Sequence, residues 1–375
     1  MKFIIDRSKF VEALNLVTRI VNAKNSNAIL NNLKFEAINN QLIITGSNGS
    51  VSIITLVPHT LEDGKSIVSV EEEGKILVNA RIAEIVRKMR DDQIKIEIVD
   101  GTTLKLSDSK SSFRLNTVNV KEYPDFDFEY NENNGLLLNK EVFTNAVNQT
   151  AFCASTKDSK PILKCINLKI FDKTLCLTAT DAARLSIKRI PVSYSKDVNI
   201  NVSAKTLIDV TRMLEAAENI KLYFEANKIV FKFDNTILIS SLMSGSFPQT
   251  DSILKNNFPW TLQINSNEFS EALSRVTTLF IDNDVAGRLK ISEEIVELTS
   301  KSPNLGSTKE SIELFRYDGE PFEIGFNPNF LLEALKAANN QDIILKFNGG
   351  TKPFLVQIKD DDSLVQVITP VRFYD

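Results

Sequence analysis

The sequence predicts an α+β fold in which one module is repeated three times, and two observations support this. The first is a recurring pattern: residues 76–98, 198–226 and 322–347 each contain a short apolar run, a capping residue, an amphipathic helix and a strand. The second is a series of short segments that alternate apolar and polar residues, as half-buried strands do. The capping residues Asn79, Ser203 and Asn327 follow one another at intervals of 124 residues, which is long enough for each copy to hold its own core.

Each repeat begins with a short strand and a helix that buries a phenylalanine. In the first repeat the strand spans residues 2–5 and the helix follows Asp6, while Phe10, Phe143 and Phe269 hold the same place in the three helices. Three alternating strands follow, written LKFEAI, QLIITG and SVSIITLV in the first repeat and GRLKIS, IVELTS and ESIELFRY in the third. Each repeat is therefore predicted as strand, helix and three strands, written twice.

The second helix of the middle repeat is predicted from Ser203 to about Ala217, because a Ser or Asn side chain can accept from the first free N–H groups of a helix. Its buried stripe recurs at helical spacing and consists of Leu207, Val210, Leu214 and Ala217. Arg212 lies on the exposed face, and Arg87 and Lys336 hold the matching place in the other two copies. A basic position that is repeated three times is the first indication of function.

Composition limits the class of protein. The chain has 375 residues, of which 43% are hydrophobic and 25% charged, so two or three globular domains are expected. A net charge of −4 argues against an ordinary nucleic-acid binder and would confine any polyanion contact to one surface. No apolar run reaches the ~18 residues of a membrane span, and the N-terminal sequence does not look like a secretion signal. We therefore expect a cytoplasmic protein without a membrane partner.

The repeat ends are marked by proline. Tyr123-Pro124-Asp125 closes the first repeat and Phe247-Pro248-Gln249 the second, and polar linker-like stretches follow both. The predicted domains are therefore 1–130, 131–257 and 258–375.

Catalytic and metal-binding motifs are not apparent. His59 is the one histidine, the three cysteines are scattered, and the Asp360-Asp361-Asp362 run joins two strands, as a solvated hairpin tip does. We predict neither an enzyme nor a bound metal or cofactor. An enzyme that processes nucleic acid at a site between the α+β modules stays open as the alternative on these residues alone.

Several local runs carry a specific resemblance: MKFIIDRSKF at the N-terminus, TDAARL at 180–185, GSFP at 245–248, GFN at 325–327 and PVR at 370–372. With these runs the whole chain resembles the bacterial DNA sliding clamps, the beta subunits of DNA polymerase III. The resemblance implies three clamp domains of two β-α-β-β-β halves each, in a head-to-tail homodimer closed as a ring, with helices lining the hole and sheets outside. It implies a processivity factor that encircles double-stranded DNA and tethers the replicative DNA polymerase catalytic subunit, with the clamp loader and other clamp-motif proteins as further partners.

The resemblance also suggests where the sites lie. Basic side chains on the inner helices would contact phosphates without reading sequence, and the candidates are Lys24, Arg81, Arg87, Lys88, Lys205, Arg212, Arg275 and Lys336. A peptide pocket between the second and third domains would be formed by Leu163, Thr180, Arg184, Leu185, Pro248, Ile253, Val367, Ile368, Pro370, Val371 and Arg372. The dimer interface would join Phe113 and Leu115 of one subunit to Leu279 and Phe280 of the other.

The sequence departs from the family pattern at this pocket. The family's TDGHRL run is TDAARL here, so Ala182 and Ala183 replace a glycine and a histidine, and the family's MPMRL ending becomes TPVR followed by Phe373, Tyr374 and Asp375. We expect the polymerase motif to bind at the same place but with weaker or differently tuned affinity.

Overall fold

The computed structural model describes residues 1–21, 25–61, 63–278, 286–302, 306–313, 315–339 and 341–372. Within these ranges the chain consists of six βαβββ units, two in each repeat, as the sequence predicts. The first repeat contains β1 (Lys2–Asp6), α1 (Arg7–Ile20), β2 (Asn32–Ile38), β3 (Gln41–Ser47), β4 (Val51–Val57), β5 (Val68–Glu72), β6 (Gly74–Asn79), α2 (Ile82–Lys88), β7 (Gln93–Val99), β8 (Thr103–Ser107) and β9 (Ser112–Val118).

The other two repeats follow the same order. The second contains β10 (Gly135–Asn139), α3 (Lys140–Ala151), β11 (Cys165–Phe171), β12 (Thr174–Thr180), β13 (Arg184–Pro191), β14 (Val198–Ser203), α4 (Ala204–Met213), β15 (Asn219–Phe224), β16 (Lys228–Phe233) and β17 (Thr236–Ser241). The third contains α5 (Asp251–Leu254), β18 (Trp260–Ile264), α6 (Ser266–Thr277), β19 (Gly287–Ile291), β20 (Val296–Ser302), β21 (Gly306–Ile312), β22 (Phe315–Asp318), β23 (Phe322–Phe326), α7 (Pro328–Ala337), β24 (Ile343–Phe347), β25 (Phe354–Ile358) and β26 (Asp361–Ile368).

Side-chain caps begin several helices. The side chains of Asp6, Asn265 and Asn327 accept from backbone N–H groups in the first turns of α1, α6 and α7. Asn79 accepts from the Arg81 N–H at 3.0 Å, directly before α2. Pro328 is the first residue of α7, where the missing N–H would have no helical partner in any case.

Three details differ from the sequence prediction. Helix α4 ends at Met213 rather than near Ala217, although Leu214 and Ala217 are still buried. The segment ESIELFRY is two strands, because β21 pairs with β20 whereas β22 pairs with β18. Strand β5 was not predicted because VSVEE is short and mostly exposed, and it pairs with β1.

The described chain divides into two compact units, Met1–Lys140 with Asp209–Leu242, and Glu141–Ile208 with Met243–Asp375. The second repeat is thus shared between them. In the first unit a 13-stranded sheet runs β10-β15-β16-β17-β4-β3-β2-β6-β9-β8-β7-β1-β5. In the second unit a nine-stranded sheet runs β14-β11-β12-β13-β26-β25-β24-β18-β22, and a four-stranded sheet runs β21-β20-β19-β23. The predicted domain boundaries stay a prediction.

The core lies between the helices and one face of each sheet. Phe10, Phe143 and Phe269 are buried to within 1% of their surface, as their matching places in α1, α3 and α6 predict. Successive side chains of a strand point to opposite faces of the sheet, and some of those that point away from the core are partly or fully exposed. In the described part of the chain, no helix is both long and apolar enough to cross a lipid bilayer.

Candidate DNA-binding and partner-binding sites

Seven of the eight candidate DNA-binding residues lie in the described ranges, and Lys24 lies outside them. All seven have exposed side chains on helices or directly before one. They are Arg81, Arg87 and Lys88 at α2, Lys205 and Arg212 on α4, Arg275 on α6, and Lys336 on α7. Exposed cations on helices can contact a phosphate backbone, and such contacts are independent of base sequence.

In the first unit, Arg87 and Arg212 border one cleft of about 770 Å³, where α1, α2 and the end of α4 meet. Lys9 and Arg19 of α1 border the same cleft. Lys9 is held by Glu12, with 2.7 Å between its Nζ and the carboxylate oxygen. The structure therefore brings two candidates that are 125 residues apart in sequence to one cleft, whose lining also includes Glu12, Glu215 and Asp234.

The candidates of the second unit differ in their surroundings. Lys336 borders a smaller cleft of about 260 Å³. There the Gln149 side-chain amide donates to the carbonyl oxygen of Ala337 at 3.0 Å. Arg275 makes two hydrogen bonds to the carboxylate of Glu310, at 3.1 and 2.9 Å, so a phosphate would have to compete with that carboxylate.

The loop at 180–184 connects β12 to β13 at the predicted peptide pocket. The Thr180 hydroxyl donates to the carbonyl oxygen of Arg184 at 2.6 Å and accepts from the Ala182 N–H. The Asp181 carboxylate accepts from the N–H groups of Ala183 and Arg184 at 2.9 and 3.0 Å. Ala182 has a φ of 78°, in the left-handed region that favours glycine. These side-chain bonds hold the alanine in a conformation it would otherwise disfavour.

The Arg184 guanidinium is held inside the second unit. Its Nε donates to Asp181 at 3.0 Å, its Nη2 to the carbonyl oxygen of Phe152 at 2.7 Å, and its Nη1 to Glu333 of α7. The rings of Phe330 and Phe152 lie 4.3 and 5.4 Å from it. Burial by itself lowers the pKa of Arg184, but the Glu333 and Asp181 carboxylates raise it above its ordinary value. Only 11% of the side chain is exposed, and its bonds join the 180–184 loop to Phe152 and to α7.

Three apolar members of the predicted pocket, Leu185, Ile253 and Val367, come together beside this loop. Leu185 and Val367 belong to a buried cluster with Ile187, Leu355 and Val365. Ile253 packs against that cluster and is partly buried. Leu163 is buried in the turn before β11, and Ile368, at the end of β26, is buried in a different cluster that contains Phe326 and Phe354. An apolar side chain of a peptide would find aliphatic partners here.

The segment after β26 is held at its beginning and exposed further on. The Thr369 N–H and hydroxyl donate to the carbonyl oxygen of Ala183 at 3.0 and 2.7 Å. The Val371 N–H donates to the carbonyl oxygen of Gly325 at 2.9 Å. The Val371 side chain is 38% exposed. Arg372 is exposed as well. Pro248, on the segment that precedes α5, is also exposed.

The predicted dimer residues are only partly described. Phe113 and Leu115 lie on β9, where Phe113 is 37% exposed. Among the described residues, β9 pairs with β8 from Ser112 to Asn116 and with β6 only at Thr117 and Val118. One edge of Ser112–Asn116 is therefore open. Leu279 and Phe280 lie outside the described residues, beyond the end of α6 at Thr277.

Six βαβββ units with basic residues on exposed helix faces define the class of DNA clamps. Family models of the DNA polymerase III beta subunit match the N-terminal domain at residues 1–127, the central domain at 137–249 and the C-terminal domain at 251–372. A Beta sliding clamp of Staphylococcus epidermidis is 31% identical, with both chains covered completely. The crystal structure of the DNA polymerase sliding clamp from Bacillus subtilis is 29% identical and superposes with a TM-score of 0.95 over both whole chains.

A second solved structure, a DNA polymerase III beta chain from Streptococcus pneumoniae, is 28% identical and gives a TM-score of 0.94 over 99% of this chain and 100% of that one. The chain thus belongs to the DNA polymerase III beta subunit family, the bacterial beta sliding clamps. Family membership confirms the resemblance seen in the sequence, the predicted fold class and the role of a DNA polymerase processivity factor.

Sequence reasoning missed the surroundings of Arg184. Glu333 lies 149 residues from Arg184 along the chain, Phe330 lies on the same helix as Glu333, and Phe152 directly follows α3. The pattern of one helix carries no information about which loop it will contact. The acidic position that recurs beside the basic one in each second helix, represented by Glu333, was the one available signal.

Proposed function

We propose that two copies of this chain form a head-to-tail ring around duplex DNA and tether the replicative polymerase through the pocket beside the 180–184 loop. The protein acts in the cytoplasm as a non-catalytic accessory subunit, and a clamp loader opens and closes it. The observation that carries the proposal is the match of all three family domains to one chain whose helices present cations in corresponding places.

The DNA contacts are proposed to be diffuse. Arg81, Arg87, Lys88, Lys205, Arg212, Arg275, Lys336 and Lys24 would contact phosphates, each weakly enough for the ring to slide. The net charge of −4 then requires these cations to be concentrated on the DNA-facing surface. Arg87 and Arg212 are the strongest members, because they border one cleft in the first unit.

The dimer contact is proposed at the open edge of β9. An unpaired strand edge with an exposed phenylalanine would promote aggregation unless a partner covers it. Phe113 and Leu115 would be covered by Leu279 and Phe280 of the second copy. Strand β21 also has one open edge in the described part of its sheet, and it belongs to the same repeat as those two residues.

The pocket is proposed to take a short extended peptide with an apolar end. Leu163, Leu185, Ile253, Val367 and Ile368 supply aliphatic walls. Pro248, Pro370, Val371 and Arg372 form the rim, while Thr180 and Arg184 fix the loop between them. Burial of one Leu or Phe of the peptide would contribute about 1.5–3 kcal/mol. Other proteins with the same kind of motif would compete for this place.

The test is retention on closed DNA. The protein is loaded onto a nicked circular plasmid with the clamp loader and ATP, and half of the sample is then cut with a restriction enzyme. We expect the protein to stay with the circular DNA through gel filtration and to be lost from the linear DNA. A closed ring can slide off a DNA end, but it cannot leave a circle that has no end. Equal loss from both forms would contradict the proposal.

A matched pair of variants ties the DNA contacts to named residues. The triple variant Arg81→Gln, Arg87→Gln, Arg212→Gln should leave circular DNA at lower salt than wild type, on every sequence alike, since each phosphate contact contributes to the salt dependence. The control Lys121→Gln, Lys160→Gln, Lys352→Gln changes the same charge at exposed positions outside these helices. It should behave as wild type.

A further inference from the structure

A second groove lies on the outer sheet face of the second unit, next to the proposed pocket. Its floor is the side of β11–β14 that faces away from the helices, and the segment 245–250 forms one wall. Its volume is about 680 Å³. Among its lining residues are Asn167, Lys169, Phe171, Arg189, Asn199 and Asn201.

An asparagine network builds the groove. The Asn167 side-chain amide donates to the side-chain oxygens of Asn199 and Asn201 at 2.8 and 2.9 Å. The Asn201 amide in turn donates to the carbonyl oxygen of Gly245 at 3.0 Å. Gly245 has a φ of 114°, which only glycine adopts readily. The wall is therefore fixed to the floor by side chains, and the groove exists before any ligand arrives.

The groove is cationic although the chain as a whole is acidic. No Asp or Glu is among its lining residues, while Lys169 and Arg189 both are. Lys169 on β11 and Arg189 on β13 are both register partners of Cys176 on β12, the strand between them. Strands β11 and β13 are therefore about 10 Å apart. Within the described part of the chain neither cation has a carboxylate partner, and Arg189 makes one long hydrogen bond of 3.4 Å to the carbonyl oxygen of Asp362. Phe171, with 63% of its surface exposed, stands beside them.

The first repeat shows that the fold does not require such a groove. Matching strand registers place Glu36 where the second repeat has Lys169, and Leu56 where it has Arg189. There Glu36 is neutralised by Lys34 and Lys75, at 2.8 and 2.5 Å. Tyr123, the counterpart of Phe247, is buried against this face, and its hydroxyl donates to the carbonyl oxygen of Asn32 at 3.2 Å.

The groove is continuous with the proposed pocket. Pro248 lines the groove and belongs to the predicted pocket. Ile187 lines the groove and belongs to the apolar cluster that contains Leu185 and Val367. A peptide seated in the pocket therefore reaches the groove with the residues that directly adjoin its motif.

We infer that this groove binds acidic residues flanking the pocket-binding motif of partner proteins, with Lys169 and Arg189 as the determinants of that preference. The inference rests on the proposed function, because the proposed pocket must hold the motif of the peptide. The groove then supplies the positive charge that attracts the flanking residues. Asparagine and threonine side chains along the floor offer donors and acceptors to an extended backbone. Single-stranded nucleic acid fits less well, because it needs a longer track of cations with several stacking aromatics.

The experiment uses the full-length protein and labelled peptides that share the C-terminal segment of the replicative polymerase catalytic subunit. The segment is extended by four glutamates, four serines or four lysines, on its N-terminal or its C-terminal side. Fluorescence anisotropy at low salt should show that glutamates on one of the two sides tighten binding about 3- to 10-fold relative to serines, and that lysines on that side weaken it. The advantage should shrink as salt rises, since the cations are partly exposed.

Two variants with equal charge change locate the effect. Lys169→Glu with Arg189→Glu should abolish the glutamate advantage and leave the serine peptide unchanged. The control Lys290→Glu with Lys352→Glu changes exposed lysines outside the groove and should preserve it. Equal affinity for glutamate and serine peptides on both sides, or an advantage that survives the groove variant, would overturn the inference.

The outcomes separate the groove from the pocket. If the serine peptide fails to bind while the glutamate peptide binds and depends on Lys169 and Arg189, the proposed pocket is wrong and the groove stands. If neither peptide binds, both are wrong. If a labelled oligothymidylate binds and the groove variant abolishes this while glutamates bring no advantage, the groove takes nucleic acid and the inference is overturned.

Discussion

The loops at 47–51 and 180–184 occupy the same place in the first and second repeats, and their backbones are held alike. Ser47 and Thr180 each bond a carbonyl oxygen four residues on and an N–H two residues on. Asn48 and Asp181 each accept from the next two free N–H groups. The strand that joins from the following repeat also donates to each loop at 3.0 Å, from Ser241 and from Thr369.

The side chains that follow these equal backbones differ. The first loop leads to Val51, which is buried, whereas the second leads to Arg184, whose guanidinium contacts α7. The sheet faces that point away from the helices also differ between the two repeats. Tyr123 covers this face in the first repeat, whereas the groove lies on it in the second. The comparison teaches that short polar side chains set the backbone of both loops, whereas the side chain at the position of Val51 and Arg184 decides which elements the loop contacts.

The largest expected effect concerns the segment after β26. Removing Val371–Asp375 should lower the affinity for the polymerase C-terminal peptide at least about tenfold, because the exposed rim of the pocket is lost. The fold should persist, since the bonds of Thr369 to Ala183 remain. Isothermal titration would measure the affinity, and circular dichroism the fold.

The matching position of the first junction supplies the control for this truncation. Met243 corresponds to Val371: each lies two residues after the residue that donates to its loop, Ser241 or Thr369, and is more than a third exposed. Met243→Ala should leave peptide affinity unchanged. Undiminished binding by the truncated protein would mean that the peptide binds elsewhere.

The second effect concerns Arg184, which stands where the first loop has the apolar Val51. Arg184→Met should lower the free energy of unfolding of the second unit by about 2–3 kcal/mol, because Asp181 and Glu333 lose their partner. The loss is less than for a fully buried pair, since the Glu333 side chain is 44% exposed. Urea denaturation followed by fluorescence would measure it.

Arg189→Met removes the same group where it is not ion-paired and should cost less than about 0.5 kcal/mol. If Arg184→Met were equally mild, the guanidinium would not tie the loop to α7. A drop in peptide affinity for Arg184→Met alone would show that the tie also shapes the pocket.

The sequence predicts the secondary structure of this molecule better than the tertiary contacts between its helices and strands. The caps, the buried phenylalanines and most strands follow from periodicity, because each depends on neighbours a few residues away. Strand β5 was not predicted because it is short and mostly exposed, and β22 was predicted only as a continuation of β21; in the structure they pair with β1 and β18 at sheet edges. The contact of Arg184 with Glu333 and the groove beside Lys169 arise only when distant strands and helices pack, so no local pattern predicts them.

The smallest expected effect concerns the cost of a positive φ at the middle residue of each loop. Gly49 has a φ of 96° and Ala182 a φ of 78°, so the first loop has the residue that tolerates this conformation and the second does not. An added Cβ on Gly49 would meet nothing closer than Leu30, at 3.7 Å, so crowding does not complicate the substitution. Gly49→Ala should therefore destabilise by about 0.5–1 kcal/mol, because the backbone strain outweighs the lower entropy of the unfolded chain.

The reverse substitution is the matched experiment. Ala182→Gly relieves the same strain but also raises the entropy of the unfolded chain, so the two terms partly cancel and we expect a gain of up to about 0.5 kcal/mol. Opposite signs in urea denaturation would show that the side-chain bonds of Thr180 and Asp181 hold Ala182 against its preference. If Ala182→Gly destabilised the protein instead, the unfolded-state entropy would outweigh the strain, and the two loops would differ in backbone energy despite their equal hydrogen bonds.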